Sequence, residues 1–238
     1  MRVAILECDK VAEKFQSQFG QYSEMIRHMF ATTGSTFDFD VYNCQQGDYP
    51  PNLDRYDFFI TTGSRAAAYA HETWIRQLIK FVHLLDDKRK ILIGICFGHQ
   101  VMAMACGGQV EKSDKGWGIG IARNRIVASP DWISEKRDEL NTIVSHQDQI
   151  VQLPDDALVI AESDFCPYFI VQWNDHFLSI QGHPEWNGDY SRALINDRRD
   201  TIPRQRVEAG LDSLATQPDN PLFTNWILDF VRNRQQSN

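Results

Sequence analysis

The chain lacks any apolar run long enough to cross a bilayer, and the apolar stretch at its start, within Met1 to Leu6, is too short for a secretory leader. Cysteine is sparse and unpatterned. Cys8, Cys44, Cys96, Cys106 and Cys166 are odd in number and scattered, with no C-x-x-C or C-x-x-H pair, which argues against a disulfide framework and a structural zinc site. A reducing, cytoplasmic setting is the simplest expectation. Basic runs are missing as well: 24 Lys and Arg face 32 Asp and Glu, and the net charge of −8 disfavours a nucleic-acid or anionic-membrane surface. There is no G-x-x-x-x-G-K-[ST] loop. The Gly116, Gly118 and Gly120 spacing is not the dinucleotide fingerprint and no helix pattern follows it, so no nucleotide or other cofactor is implied. No metal-ligand spacing links His28, His71, His83 or His176. Without repeats, low-complexity tracts or a linker, the 238 residues are expected to form one domain, with a catalytic core to about residue 190 and C-terminal helices over about 190–233.

What is present is an alternation of strand and helix patterns. Arg2–Leu6 reads as a buried strand, Tyr22–Phe30 as a helix and Thr36–Tyr42 as a second strand. Asn43–Asp54, with Gly47, Pro50 and Pro51, reads as a loop before a third strand at Tyr56–Thr61. Trp74, Ile75, Leu78, Ile79, Val82 and Leu85 then recur at helical spacing, and a fourth strand begins near Ile91. Such alternation predicts an α/β, flavodoxin-like, doubly wound sheet with its site at the carboxyl ends of the strands. From Gly118 to Ile180 strand patterns follow one another: Gly118–Ala128, Asn141–Ser145, Leu158–Glu162, Phe169–Trp173 and Phe177–Ile180. They predict antiparallel additions, and therefore a mixed, mainly parallel sheet, with a tight hairpin at Asn174-Asp175. Helices are expected near Tyr190–Arg199, Arg204–Leu214 and Leu222–Val231, bounded by Pro203, Pro218 and Pro221.

The chemistry concentrates at Gly94-Ile95-Cys96-Phe97-Gly98-His99-Gln100. A buried strand ending in Gly-x-Cys-x-Gly and followed by small apolar residues predicts a nucleophile elbow, with sulfur where serine hydrolases carry oxygen. Gly94 and Gly98 would let strand and helix approach closely, and Cys96 would sit at a helix N-terminus, where unpaired N–H groups favour a thiolate. Free cysteines are most often buried hydrophobes, which is the expectation for the other four. A thiol nucleophile also needs an imidazole, and the imidazole an acceptor to orient it. Gln181-Gly182-His183-Pro184-Glu185, at the end of another strand pattern, supplies both in His183 and Glu185.

A Gly-Ile-Cys-Phe-Gly-His-Gln elbow followed much later by Gly-His-Pro-Glu resembles the class I glutamine amidotransferase family, and the likeness runs from Arg2 through Glu185. Within it, the chain is most similar to stand-alone domains related to the glutaminase part of GMP synthase and to plant γ-glutamyl peptidases. The resemblance implies that Cys96 is the nucleophile, His183 the general base and then acid, and Glu185 the residue orienting it. It implies an oxyanion hole from the backbones of Phe97 and Gly63, although Ser64 and Arg65 stand where many relatives carry glycine or proline. It further implies substrate contacts from Gln100 and from the Ser145-His146-Gln147-Asp148 loop, in which Gln147 replaces a common glycine. Trp117 is a candidate pocket wall and Ala66–Tyr69 a candidate rim, while His99 is expected to pack or hydrogen-bond.

The implied activity is release of ammonia from the glutamine side chain through a γ-glutamyl thioester, with a separate ammonia-accepting synthetase as a possible partner. Two alternatives stand beside it. One is a self-sufficient hydrolase of γ-glutamyl peptides or conjugates, and the other a non-catalytic binding or regulatory protein on the same fold.

Overall fold

A computed structural model describes residues 1–236. Its centre is a nine-stranded mixed sheet. Five strands run parallel: β1 (Arg2–Glu7), β2 (Asp38–Asn43), β3 (Phe58–Thr61), β4 (Leu92–Ile95) and β11 (Phe177–Ile180). Their order, β2-β1-β3-β4-β11, is the doubly wound order that places a crevice outside the strands' carboxyl ends. The sheet continues past β11 through β10 (Ile170–Trp173), β9 (Ala157–Glu162), β6 (Gly118–Ile126) and β7 (Glu139–His146), each antiparallel to its neighbours.

The parallel strands are apolar because helices cover both faces. On β1, Val3 and Ile5 point to one side and Ala4 and Leu6 to the other, as a period of two requires. The first side packs against α2 (Tyr22–Ala31) and α7 (Asn220–Gln236), through residues such as Phe30, Trp226 and Phe230. The second packs against α3 (Thr73–Asp87) and the elbow helix α4 (Phe97–Ala105), through Leu78, Val82 and Met102. Near the site, α5 (Gly188–Asp197) lays Tyr190 and Leu194 on Ile143 of β7, and α6 (Arg204–Ser213) rests on β6.

The expected strands and helices are present, with shifted ends. The second strand starts at Asp38, the sixth stops at Ile126 rather than Ala128, the seventh runs Glu139–His146, and the last helix extends over Asn220–Gln236, so Pro221 lies in its first turn and does not bound it. The Trp173–Phe177 hairpin forms as expected, with Asn174 at φ 49°. Two features are additions to the sequence reading. α1 (Glu13–Phe19) buries none of its residues fully, and a two-stranded ribbon pairs β5 (Gln109–Lys112) with β8 (Asp148–Gln152).

Candidate active site

β4 is buried throughout and delivers the chain to Cys96, which adopts φ 48° and ψ −96°, a conformation that non-glycine residues rarely hold. The surroundings impose it. The Cys96 N–H donates to the carbonyl of Ile180 at 2.8 Å, and α4 starts immediately afterwards. A Cβ on Gly94 would meet the Gly98 carbonyl at 3.0 Å, and one on Gly98 would overlap the Thr61 side chain, so the elbow closes only with glycine at both places. Phe97 is the first residue of α4. Its ring turns away onto Trp74, 5.4 Å between centroids, while its N–H has no partner one turn back.

His183 follows β11, the strand beside β4, and its imidazole and the Cys96 side chain both approach Gly63. On the far side its Nδ1 meets Glu185 Oε1 at 2.8 Å, and both side chains are almost wholly enclosed. Trp186 stacks on the imidazole at 3.5 Å and 11°, and Tyr22 lies parallel beyond it. Burial alone would depress the basicity of His183. The charges of Cys96 and Glu185 and the Glu185 hydrogen bond outweigh it and raise the imidazole to about 10, which favours its protonated form.

Gly63, just past β3, completes the floor. A Cβ there would come within 2.8 Å of His183 Cε1 and 3.7 Å of Cys96 Cβ. The adjoining Ser64-Arg65 segment is clamped by Asp9 from the end of β1. One carboxylate accepts the Arg65 backbone N–H and both arms of its guanidinium at 2.9 Å, and Ser64 Oγ lies 3.5 Å away. Although burial pushes the Asp9 carboxyl up, the Arg65 hydrogen bonds prevail and hold it below its ordinary value. The departure from glycine or proline at this loop is thus matched by a fixed ion pair.

These groups open into a cavity of about 380 Å³. Gly63, Cys96 and His183 form one end, and Gln100, Ser145, His146, Gln147, Trp117 and Arg198 line the rest. Ser145 Oγ accepts from Arg198 Nη1 at 2.7 Å, and that guanidinium lies over the Trp117 ring. Arg198 has no carboxylate partner among the described residues. His146 Nδ1 is 3.2 Å from the Asp148 carbonyl, and burial lowers its imidazole to about 4, leaving it neutral. Gln147 faces the cavity, and its carbonyl accepts from the Ser113 N–H. At the rim Ala66 reaches the cavity.

Gln100 is differently occupied than its sequence position suggests. Its amide nitrogen donates to the Asp148 carbonyl at 3.0 Å and to Gln181 Oε1 at 3.1 Å, leaving only its oxygen for anything in the cavity. His99 packs away from the site, bonded to Ser179 Oγ at 2.7 Å and lowered by burial to about 3. Burial raises the Cys106 and Cys166 thiols to about 12, and only Cys96 of the five cysteines lines this cavity. No sequence pattern marks Asp9, Trp186 or Arg198 as site residues; Gln181, a polar residue closing an apolar strand, carries the one signal that could have found it.

The family model of "Glutamine amidotransferase class-I" matches residues 17–197. The chain belongs to the class I glutamine amidotransferase family. Among curated relatives of this amidotransferase-family chain, gamma-glutamyl peptidase 3 of Arabidopsis thaliana is 31% identical over 94% of this chain and 93% of its own length. Gamma-glutamyl peptidase 2 of the same plant is 28% identical over 98% and 97%. A glutamine amidotransferase of Thermotoga maritima superposes over 99% of both chains with a TM-score of 0.74 at 18% identity, a likeness of fold.

Proposed function

We propose that the chain is a cysteine hydrolase of γ-glutamyl amides, working through a γ-glutamyl thioester on Cys96. The observation that carries this reading is that Cys96 and His183 line one end of a single cavity, with the Glu185 carboxylate hydrogen-bonded to the imidazole. In this reading the thiol proton passes to His183, so the attacking group is a thiolate beside an imidazolium. Sulfur attacks the γ-carbonyl carbon, and the resulting oxyanion faces the N–H groups of Phe97 and Gly63. His183 gives its proton to the departing nitrogen as the C–N bond breaks, leaving the thioester and a neutral imidazole. That imidazole takes a proton from water, whose oxygen attacks the thioester. Glutamate leaves, and the proton returns to the Cys96–His183 pair.

The leaving group is the finer question, and two features favour a γ-glutamyl peptide. Trp117 and Gln147 line both this cavity and a second one of about 460 Å³, whose walls carry Lys112, Lys115 and Arg206. A leaving amine with its own carboxylate finds room and positive charge there, neither of which ammonia uses. The likeness to the Arabidopsis gamma-glutamyl peptidases supports the same choice. Arg198, held between Trp117 and Ser145 with no carboxylate partner among the described residues, suits the α-carboxylate of the glutamyl unit. Family membership favours a second reading, in which glutamine is the substrate and ammonia passes to a separate synthetase.

The test is glutamate release by the purified chain from glutamine beside γ-glutamyl dipeptides with a free or amidated carboxyl terminus. Faster turnover of the free-acid peptides supports the first reading. Glutamine turnover with none of the peptides selects the second, and release that persists in Cys96→Ala rejects both.

A further inference from the structure

Gln181 lies two residues before His183 and is wholly buried. Its amide nitrogen lies 3.5 Å from the Cys96 sulfur, within range of an N–H···S hydrogen bond. Whether nitrogen or oxygen of a glutamine faces a neighbour must be settled from its partners. One backbone oxygen settles it here. The Asp148 carbonyl can only accept, so the group of Gln100 that faces it at 3.0 Å must be the NH₂. The other hydrogen of that NH₂ points to Gln181, which must therefore present its oxygen, at 3.1 Å. With its oxygen held there, Gln181 can turn only its NH₂ to Cys96. Three groups from distant parts of the chain fix the direction of a single donor.

From this chain of constraint we infer that Gln181 is a catalytic residue, a permanent hydrogen-bond donor to the nucleophilic sulfur, and that Gln100 is the positioning residue that keeps its donor side turned inward. The inference rests on the reading of Cys96 as nucleophile. Donation to a charged sulfur is stronger than to a neutral thiol, so the contact favours the attacking form. It is also directional. Were the amide to flip, its oxygen would face the sulfur and repel it. Anchoring on the Asp148 carbonyl ties the nucleophile to the Ser145–Asp148 loop at the cavity wall, so a displacement of that loop is felt at the sulfur.

The experiment reads the sulfur directly and needs no substrate: the rate of Cys96 alkylation by iodoacetamide against pH, followed by peptide mass spectrometry, in the full chain. In Gln181→Met, of similar size but without a donor, the half-maximal pH should rise by about one to two units, the loss of one hydrogen bond to a charged group. Gln100→Met never touches sulfur, and it should shift the profile the same way by a smaller amount because Gln181 is then free to turn. A purely structural role would lower stability and leave the profile in place. An unmoved half-maximal pH in folded Gln181→Met overturns the inference. If that variant does not fold, an unmoved profile in Gln100→Met does so instead. A raised half-maximal pH in Gln181→Met combined with undiminished glutamate release from Cys96→Ala would reject the proposed function and not this contact.

Discussion

The two halves of the central sheet contribute different things to the cavity. The parallel half supplies every atom proposed to react: Gly63 follows β3, Cys96 follows β4, and Gln181, His183 and Glu185 follow β11, with Asp9 bracing the floor from β1. Its strands β3, β4 and β11 are buried at every position. The antiparallel half and the helices on it supply the wall: Trp117 ahead of β6, the turn from Ser145 to Asp148, and Arg198 at the end of α5. β6 and β9 of that half mix buried, half-buried and exposed residues. Reacting groups must be held to fractions of an ångström, which strands packed on both faces can do. A wall that selects among substrates needs only complementary charge and shape, and it tolerates a more exposed support.

The sharpest test of this division removes a reacting group. Cys96→Ala and His183→Ala should each lower kcat by about 10³-fold or more. Neither should unfold the chain, since each truncation leaves β4 and β11 paired. Glutamate release with matched circular dichroism spectra would check it. A fall of less than tenfold for either would break the comparison at its first term.

Gly63→Ala should come next. The added carbon would lie 2.8 Å from His183 Cε1, too close to tolerate, and the ring cannot retreat because Trp186 stacks on it at 3.5 Å. The imidazole must turn off the line between Cys96 and Glu185, and kcat should fall by about 10²-fold with KM little changed. An unaltered kcat would mean that the floor of the site is looser than the packing implies.

The same contrast explains how much could be read without coordinates. A parallel strand buried on both faces is a continuous apolar run, so Leu92–Ile95 and Phe177–Ile180 stood out, and their ends led to Cys96 and His183. The wall was less legible. In the β5–β8 ribbon only Val110 of β5 is buried, so Gln109–Lys112 has no pattern to distinguish it from a loop. α1 has no fully buried residue to give it a helical stripe. Arg198 reaches Ser145 across 53 residues, and no local spacing announces such a contact. Gln100 matched a family position, but the partners that occupy its amide come from β11 and from the start of β8, which only the folded chain brings together.

Changing the wall should alter binding more than turnover. Arg198→Leu removes the cation held between Ser145 and Trp117 and keeps the apolar contact with the ring. KM for a γ-glutamyl substrate should rise about 10- to 100-fold while kcat stays within a few-fold, the signature of lost uniform binding. Steady-state kinetics would decide it, and an equal fall in kcat would move Arg198 into the reacting half.

The smallest effect lies in stability against pH, where one imidazole from each half bends the curve in an opposite direction. His183, after β11, is raised from 6.5 to about 10 by Cys96 and Glu185 against the pull of burial. Its contribution is complete below about pH 6.5 and is lost as pH climbs through about 10, because the unfolded imidazole has already shed its proton. His146, in β7, is lowered by burial from 6.5 to about 4. It contributes fully above about pH 6.5, and that contribution disappears as pH falls through about 4, because only the unfolded form takes up a proton in that window. Urea unfolding at intervals from pH 4 to 10 should show His183→Gln flattening only the alkaline fall and His146→Gln flattening only the acid one. Loss of the same limb in both variants would mean that the two imidazoles share a proton economy, and the division between reacting half and wall would not extend to their electrostatics.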